Sequence, residues 1–167
     1  MDRREITCCF TGHRLARLPW GARETDERCL ALRAEIAMRL EGIYQAGYRH
    51  FLCGMALGCD SYFAEAVLAL KSLYPEVTLE AAVPCRSQAD RWTKKQRERY
   101  EQLLSLCDTV TVLQEDYSPD CMMRRNRYMV DHASLLLACF NGRPSGTMNT
   151  IVYAQRQGLQ TILIDLA

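Results

Sequence analysis

The sequence has 167 residues, a length that suits one domain and that buries a sizeable core without disulfides or metal ions. Hydrophobic residues make up 49% and charged residues 25%, the composition of a soluble globular protein. A formal net charge of +1 is too balanced for a protein that mainly coats nucleic acid. We therefore predict one domain over residues 1–167 and expect nucleic acid to be an unlikely partner.

The nine cysteines and the N-terminus indicate a cellular compartment. The cysteine count is odd, and neither C-x-x-C nor a Cys/His ligand spacing occurs, which argues against a disulfide framework and against a metal site. No apolar run approaches the roughly 20 residues of a membrane span. The first ten residues lack the apolar segment of a signal peptide. These features predict a cytoplasmic protein that does not associate with a membrane.

Strand and helix patterns alternate along the chain, with short apolar runs between stretches of helical spacing. In chain order they are strand 5–10, helix 26–47, strand 49–53, helix 60–75, strand 77–84, helix 88–107, strand 108–114, helix 121–133, strand 134–140, helix 145–158 and strand 159–166. Nearly continuous apolar strands separated by helices are typical of a parallel sheet covered on both faces. The sequence thus predicts an α/β fold.

Three strand-to-helix junctions share one design: a strand, a loop of small residues and a helix start. They are CFTGHR (9–14), LCGMALGCDS (52–61) and CFNGRPSGTMNT (139–150). Glycine permits close backbone approach, and a helix start offers unpaired amides to a phosphate. Because the carboxyl ends of parallel strands meet at one edge, the loops together could hold a nucleotide-like molecule. None has the Walker or the full G-x-G-x-x-G spacing, and a plain turn explains any single loop equally well.

Several polar side chains near these loops have two explanations each. Asp60 is placed to cap the second helix, and it could also accept a ribose hydroxyl. Thr147 and Asn149 could cap the fifth helix or bond a phosphate. The segment RRNR (124–127) is either a solvated basic face or an anion clamp. His13 is the one histidine in a glycine loop, which makes it a candidate ligand contact.

The motifs TGHR, GMALGCD, RRNRYMVDHASLLLACFNG and SGTMNT together resemble those of the YpsA-like family of the SLOG superfamily. GMALGCD is also similar to the G-M-A-x-G-x-D loop of DprA DNA-processing proteins, and SGTMNTIVYAQRQGLQTILI is similar to their S-G-[ST]-x-x-T-x-x-A segment. The match runs in order over almost the whole chain. It implies a Rossmann-like three-layer sandwich, with a mostly parallel sheet of about six strands, that binds a nucleotide or nucleotide derivative.

The resemblance implies binding residues in all three loops and on the fourth helix. By position they are Thr11, Gly12, His13, Arg14, Gly54, Met55, Gly58, Asp60, Arg125, Asn126, Gly142, Ser145, Gly146 and Thr147. No cofactor is required on this interpretation, and the expected ligand is a nucleotide or an ADP-ribose-like compound. Folds of this superfamily often self-associate, so a homo-oligomer is left open.

The lonely-guy phosphoribohydrolases of the superfamily carry G-G-x-G-T-x-x-E, whose glutamate serves catalysis. Here that position is Thr150, which cannot act as a carboxylate acid or base, although Arg125 matches the arginine of the preceding helix. Asp60 remains a substitute, whereas Glu65 is expected to have a helix-face role. We predict ligand binding or sensing without robust catalysis. The alternatives are a nucleoside 5′-monophosphate N-glycosidase and a DprA-like binder of single-stranded DNA.

Overall fold

The computed structural model of this protein describes residues 2–166, and its centre is one sheet of six parallel strands. The strands are β1 (Thr7–Gly12), β2 (His50–Cys53), β3 (Thr78–Val83), β4 (Thr109–Val112), β5 (Leu135–Phe140) and β6 (Gln160–Asp165). The helices are α1 (Glu27–Gln45), α2 (Cys59–Leu73), α3 (Lys94–Leu106), α4 (Cys121–Asp131) and α5 (Gly146–Arg156). The predicted α/β, Rossmann-like fold is confirmed, and every strand pair is parallel.

The strands lie in the order β4-β3-β2-β1-β5-β6. From β1 the chain moves outwards through β2, β3 and β4, and it then returns to the other side of β1 to form β5 and β6. This return creates a switch point between β1 and β5, where Gly12 is paired with Cys139. In α/β sheets, ligands bind outside the carboxyl ends of the strands at such a point.

Two apolar cores cover the two faces of the sheet. On one face, α1, α2 and α3 pack on strand residues such as Phe10 and Phe51, and the rings of Phe10 and Phe63 stack with centroids 4.4 Å apart. On the other face, α4 and α5 pack on residues such as Leu52 and Leu136. Neighbouring strand residues therefore face different cores, which explains why the strands are apolar throughout.

Most element boundaries differ from the predicted ones by one to three residues. β1 begins later than expected because Asp2 caps a short 3-10 helix, Arg3–Ile6, and it runs on through Gly12. The largest difference is at α3, which begins at Lys94 and not at residue 88. Thr93 caps this helix in a reciprocal capping box with Gln96, so the preceding residues form turns.

The prediction that Asp60 caps α2 is wrong. Gly58 occupies the N-cap position with a φ of 94°, and Asp60 lies in the first turn of the helix. The carboxylate turns back and accepts a hydrogen bond from the amide of Ala56 at 2.9 Å. A Cβ at Gly58 would lie 2.7 Å from the carbonyl oxygen of His13, so the helix begins where only glycine fits.

The structure also bears on the expectations about cysteines and membranes. All nine cysteines are free thiols, and all of them except Cys107 are buried. Among residues 2–166, no group of three or more His, Cys, Asp or Glu side chains is arranged to hold a metal ion. Within the same range, every helix is too short or too polar to cross a membrane.

Candidate functional site

A cavity of about 310 Å³ lies at the carboxyl ends of β1 and β5, at the switch point of the sheet. The end of β1, the turn that follows it, the starts of α2 and α5 and one side of α4 form its wall. We call it the first cavity. Its lining residues are Phe10, Thr11, Gly12, His13, Arg14, Ala16, Arg17, Ala56, Asp60, Met122, Arg125, Asn126, Met129, Ser145, Gly146 and Thr147. Its volume lies at the lower end of the range of small-molecule sites.

Most of the predicted binding residues line this cavity. They are Thr11, Gly12, His13, Arg14, Asp60, Arg125, Asn126, Ser145, Gly146 and Thr147. The other four lie elsewhere: Met55 and Gly58 line a second cavity, Gly54 packs against Arg125, and Gly142 lies in an open turn. A binding role for these four stays a prediction, and the structure does not bring them to the first cavity.

Sequence reasoning missed six of the lining residues. They are Phe10, Ala16, Arg17, Ala56, Met122 and Met129. Met122 and Met129 stand three residues before and four residues after Arg125, so helical spacing alone could have found them. Arg17 comes from a short 3-10 helix, Leu15–Arg17, and no local pattern in the sequence marks it as part of the cavity.

Arg125 is a buried cation whose hydrogen bonds are to neutral groups. Its side chain is 3% exposed, and Nη1 donates to the carbonyls of Gly54 at 2.5 Å and Ala82 at 3.3 Å. Nε donates to Oδ1 of Asn126 at 2.9 Å, and Nη2 lies 3.7 Å from the sulfur of Met122. A Cβ at Gly54 would lie 2.5 Å from Nη1, so the glycine makes room for the guanidinium.

Asp60 places the opposite charge in the same cavity. It is 8% exposed, and its Oδ2 accepts the hydrogen bond from Ala56. Burial raises the pKa of Asp60 although the charge of Arg125 opposes this shift, and burial lowers the pKa of Arg125 although Asp60 opposes it. In the described part of the chain, these two groups form no direct ion pair. Each buried charge therefore lacks a direct ion pair, and the attraction between the two offsets only part of the cost of burying them.

His13 connects the three loops as a neutral imidazole. The amide of Asn141 donates to Nε2 at 3.1 Å, which assigns the proton to Nδ1, 3.5 Å from the hydroxyl of Thr147. Its carbonyl accepts from the amide of Cys59 at 3.1 Å, at the start of α2. Burial lowers the pKa of His13, and the charge of Arg17 acts in the same direction. His13 thus links the loops, and its contact with a ligand stays a prediction.

The start of α5 turns its positive end towards the cavity. Ser145 caps the helix, and its Oγ accepts from the amide of Met148 at 3.2 Å. Gly146 and Thr147 lie in the first turn, where amides have no partner within the helix. The charged lining residues are three arginines and Asp60, so the arrangement favours an anionic ligand.

The two positions weighed for catalysis besides Asp60 lie outside the first cavity. Thr150 is buried, and its Oγ1 donates to the carbonyl of Gly146 at 3.0 Å. Glu65 accepts a hydrogen bond from Arg99 on the other side of the sheet. Asp60 is the one carboxylate among the lining residues of the first cavity.

Two solved structures share the fold. DNA processing protein A from Helicobacter pylori, described with a unique single-stranded DNA binding mode, superposes with a TM-score of 0.65 at 14% identity. That match covers 96% of this chain and 65% of the other. DNA processing protein A from Streptococcus pneumoniae gives a TM-score of 0.61 at 17% identity, over 96% of this chain and 50% of the other. At such low identity the likeness shows the fold alone.

Sequence comparison adds relatives and a family. The chain is 30% identical over 118 residues to the uncharacterized SPbeta prophage-derived protein YoqJ of Bacillus subtilis (strain 168), covering 64% of this chain and 69% of that protein. It is 30% identical over 130 residues to a UPF0398 protein of Bacillus pumilus (strain SAFR-032), covering 76% and 70%. The family model of the YspA SLOG family (YpsA) matches residues 8–163. This chain therefore belongs to the YspA SLOG family, as its loop motifs predicted.

Proposed function

We propose that this protein binds or senses a nucleotide or nucleotide-derived ligand in the first cavity. The observation that carries the proposal is the pair of buried charges, Arg125 and Asp60, which line one cavity without a direct ion pair. A phosphate would supply the anion that Arg125 lacks, and sugar hydroxyls would donate to the carboxylate of Asp60. The family membership and the position at the switch point support the same conclusion.

The volume of the first cavity, about 310 Å³, favours a ligand with one phosphate and one sugar. We propose that the phosphate binds near Arg125 and the start of α5, and that the sugar binds at Asp60. Between the first and the second cavity, the start of α2 is joined to the turn after β1 by a hydrogen bond from the amide of Cys59 to the carbonyl of His13. An ADP-ribose-like molecule, with a second phosphate and sugar, would have to extend out of a cavity of about 310 Å³.

Calorimetric titration tests this proposal. The probes are the four common nucleoside 5′-monophosphates, the matching nucleosides and inorganic phosphate. We expect at least one monophosphate to bind, and we expect its nucleoside to bind at least about tenfold more weakly, because a charge-assisted hydrogen bond contributes about 1.5–3 kcal/mol.

A pair of arginine variants on α4 gives the matched control. Arg125→Met should weaken monophosphate binding by about 10–100-fold, since it removes the buried cation. Arg127→Met removes an exposed cation that lies over the ring of Tyr153, and it should leave the affinity unchanged. The proposal fails if no monophosphate binds, or if the two variants bind equally well.

A second candidate function is N-glycosidic cleavage of a nucleoside 5′-monophosphate. The observation that favours it is Asp60, a buried carboxyl group with a raised pKa in the same cavity as Arg125, because such a group can serve as a general acid. Release of free base that stops in Asp60→Asn, while Asp60→Asn still binds the monophosphate, would establish the enzyme. Binding without base release supports the sensor.

We propose that single-stranded DNA is not the main ligand. Arg99 on α3 donates to Glu24 and Glu65, and Lys94 lies 3.9 Å from Glu98, so much of the positive charge of this helix is compensated. We expect an oligonucleotide to bind weakly or not at all at physiological salt. Tight binding that falls steeply with salt concentration would contradict this expectation.

A further inference from the structure

A second cavity, of about 690 Å³, lies between α2 and α3, on the far side of the loop that connects β2 to α2. Three aromatic side chains contribute to its wall: Tyr62, Trp92 and Tyr100. The rings of Trp92 and Tyr100 meet edge to face, with centroids 5.1 Å apart, and Leu57 and Leu103 add aliphatic surface. Cavities of this size with aromatic surface in their walls are typical sites for small organic molecules, and the rest of this wall is polar or charged, with residues such as Ser61 and Gln96.

The charges around the second cavity compensate one another. Arg99 donates hydrogen bonds to both Glu24 and Glu65, and Arg33 pairs with Glu24 at 2.7 Å. Two cations therefore face two anions. The remaining charged lining residues are one lysine and one glutamate on α3, which also cancel. The lining holds three glutamates against Lys95 and Arg99, and Arg33, which is not among the lining residues but pairs with Glu24 and Glu65, brings the sum of these charges to zero. The first cavity, by contrast, has an excess of arginines.

We propose that the second cavity binds an uncharged, planar aromatic molecule. Such a ring would pack against the aromatic and aliphatic wall, where stacked or edge-to-face arrangements are favourable. A ligand with a net charge would leave that charge uncompensated, or it would have to displace a member of the arginine–glutamate network. The balance of charge thus selects the ligand class, and the aromatic wall selects its shape.

Met55 connects the second cavity to the first. Its side chain lines the second cavity, and its φ of 58° is uncommon for a residue other than glycine. The residue before it, Gly54, accepts a hydrogen bond from Arg125, and the residue after it, Ala56, donates one to Asp60. A ligand that moves Met55 would therefore shift both buried charges of the first cavity. This coupling rests on the function proposed above, whereas the second site does not.

Three indole compounds with one ring and different charges test the second site. They are indole, the cation tryptamine and the anion indole-3-acetate, each titrated by calorimetry and located by crystal soaking. We expect indole to bind in the second cavity and to bind at least about tenfold more tightly than either ion. Trp92→Ala should weaken indole binding at least about tenfold, because it removes part of the aromatic wall.

Four results would overturn the proposal of an aromatic ligand in the second cavity. It fails if indole does not bind, if indole binds outside the second cavity, if the ions bind as well as indole, or if Trp92→Ala has no effect. Coupling is measured by titrating the tightest-binding of the four nucleoside 5′-monophosphates with and without saturating indole, with an expected change in affinity of about fivefold or more. An unchanged affinity would refute the link through Met55. If the monophosphate does not bind at all, the proposed function fails while indole binding still decides the second site.

Discussion

Two buried polar regions contact α4, and they differ in how completely their groups are paired. Near the amino ends of β2 and β3, Glu80 accepts hydrogen bonds from His50 at 2.9 Å, Thr111 at 2.9 Å and Tyr128 at 2.8 Å. At the carboxyl edge of the sheet, Arg125 lies only three residues before Tyr128 on the same helix, and it faces the first cavity without a carboxylate partner. The carboxylate of Glu80 is therefore fully hydrogen-bonded within the protein, whereas the charge of Arg125 has no direct ion pair.

The pKa values reflect the same difference. Burial alone would raise the pKa of Glu80, but hydrogen bonds from His50, Tyr128 and Thr111 lower it to about 2. The pKa of Asp60 moves the other way, because burial outweighs the attraction of Arg125 and the amide of Ala56. A buried polar group that is fully hydrogen-bonded fits a structural role, whereas a buried charge without a direct ion pair in a cavity is a candidate for ligand binding.

The largest expected effect is the loss of stability when Glu80 is replaced. Glu80→Ala should lower the free energy of unfolding by about 3–5 kcal/mol, because the buried donor His50 and the half-buried donors Thr111 and Tyr128 lose their acceptor. Arg125→Met should cost less, about 1–3 kcal/mol, because it leaves the carbonyls of Gly54 and Ala82 without their donor but also removes a buried charge that has no direct ion pair. Urea denaturation of both variants measures the difference. Equal losses would mean that the two regions do not differ in the way proposed.

The loss of stability at acid pH tests the role of Glu80 in the comparison with Asp60. The pKa of Glu80 is lower in the folded protein, about 2, than its ordinary value of 4.5. Its contribution is therefore complete above pH 4.5 and is lost as the pH falls towards 2, a change of about 3 kcal/mol at most. Other carboxylates with lowered pKa values titrate in both proteins, so the difference in stability between the wild type and Glu80→Gln, measured between pH 2 and pH 6, should show this slope.

A pair of glycine substitutions tests the close approach between the start of α2 and the turn that follows β1. Gly58→Ala should cost at least about 2 kcal/mol, because it combines a positive φ with a backbone atom 2.7 Å from the new Cβ. Gly142→Ala also has a positive φ but meets open space, so it should cost about 1 kcal/mol. Thermal or urea unfolding of both variants measures the two costs. A cost at Gly142 equal to that at Gly58 would show that the close approach to His13 has no energetic weight.

The smallest expected effect is the pH dependence from Asp60. Its folded pKa is raised above the ordinary value of 3.8, so its ionisation disfavours the folded state. The stability of the wild type relative to Asp60→Asn should fall as the pH rises from 3.8 through the folded pKa. The effect is small because Arg125 offsets part of the burial. A relative stability that rises over this range would place Asp60 in a satisfied ion pair instead.

The sequence predicted those features of the site that depend on local pattern. Of the fourteen binding residues that the family resemblance implied, ten line the first cavity: eight lie in the glycine loops, and Arg125 and Asn126 lie on the fourth helix. The contacts that hold these residues in place join parts of the chain that are far apart in sequence, and the sequence did not reveal them. Gly54 is held by Arg125, 71 residues away, and His13 is held by Asn141, 128 residues away. The partners of Glu80 are likewise 30 to 48 residues distant, and no motif joins them.

By itself, the sequence determined six apolar strands alternating with five helices, and hence a parallel sheet whose loops meet at one edge. That follows from periodicity and turn chemistry, which act over a few residues. Only the tertiary structure decided which buried charges are satisfied and which face a cavity. The reason is that pairing depends on the distance between atoms brought together by strand order and helix packing, and residues such as Asp60 and Glu80 look alike until those distances are known.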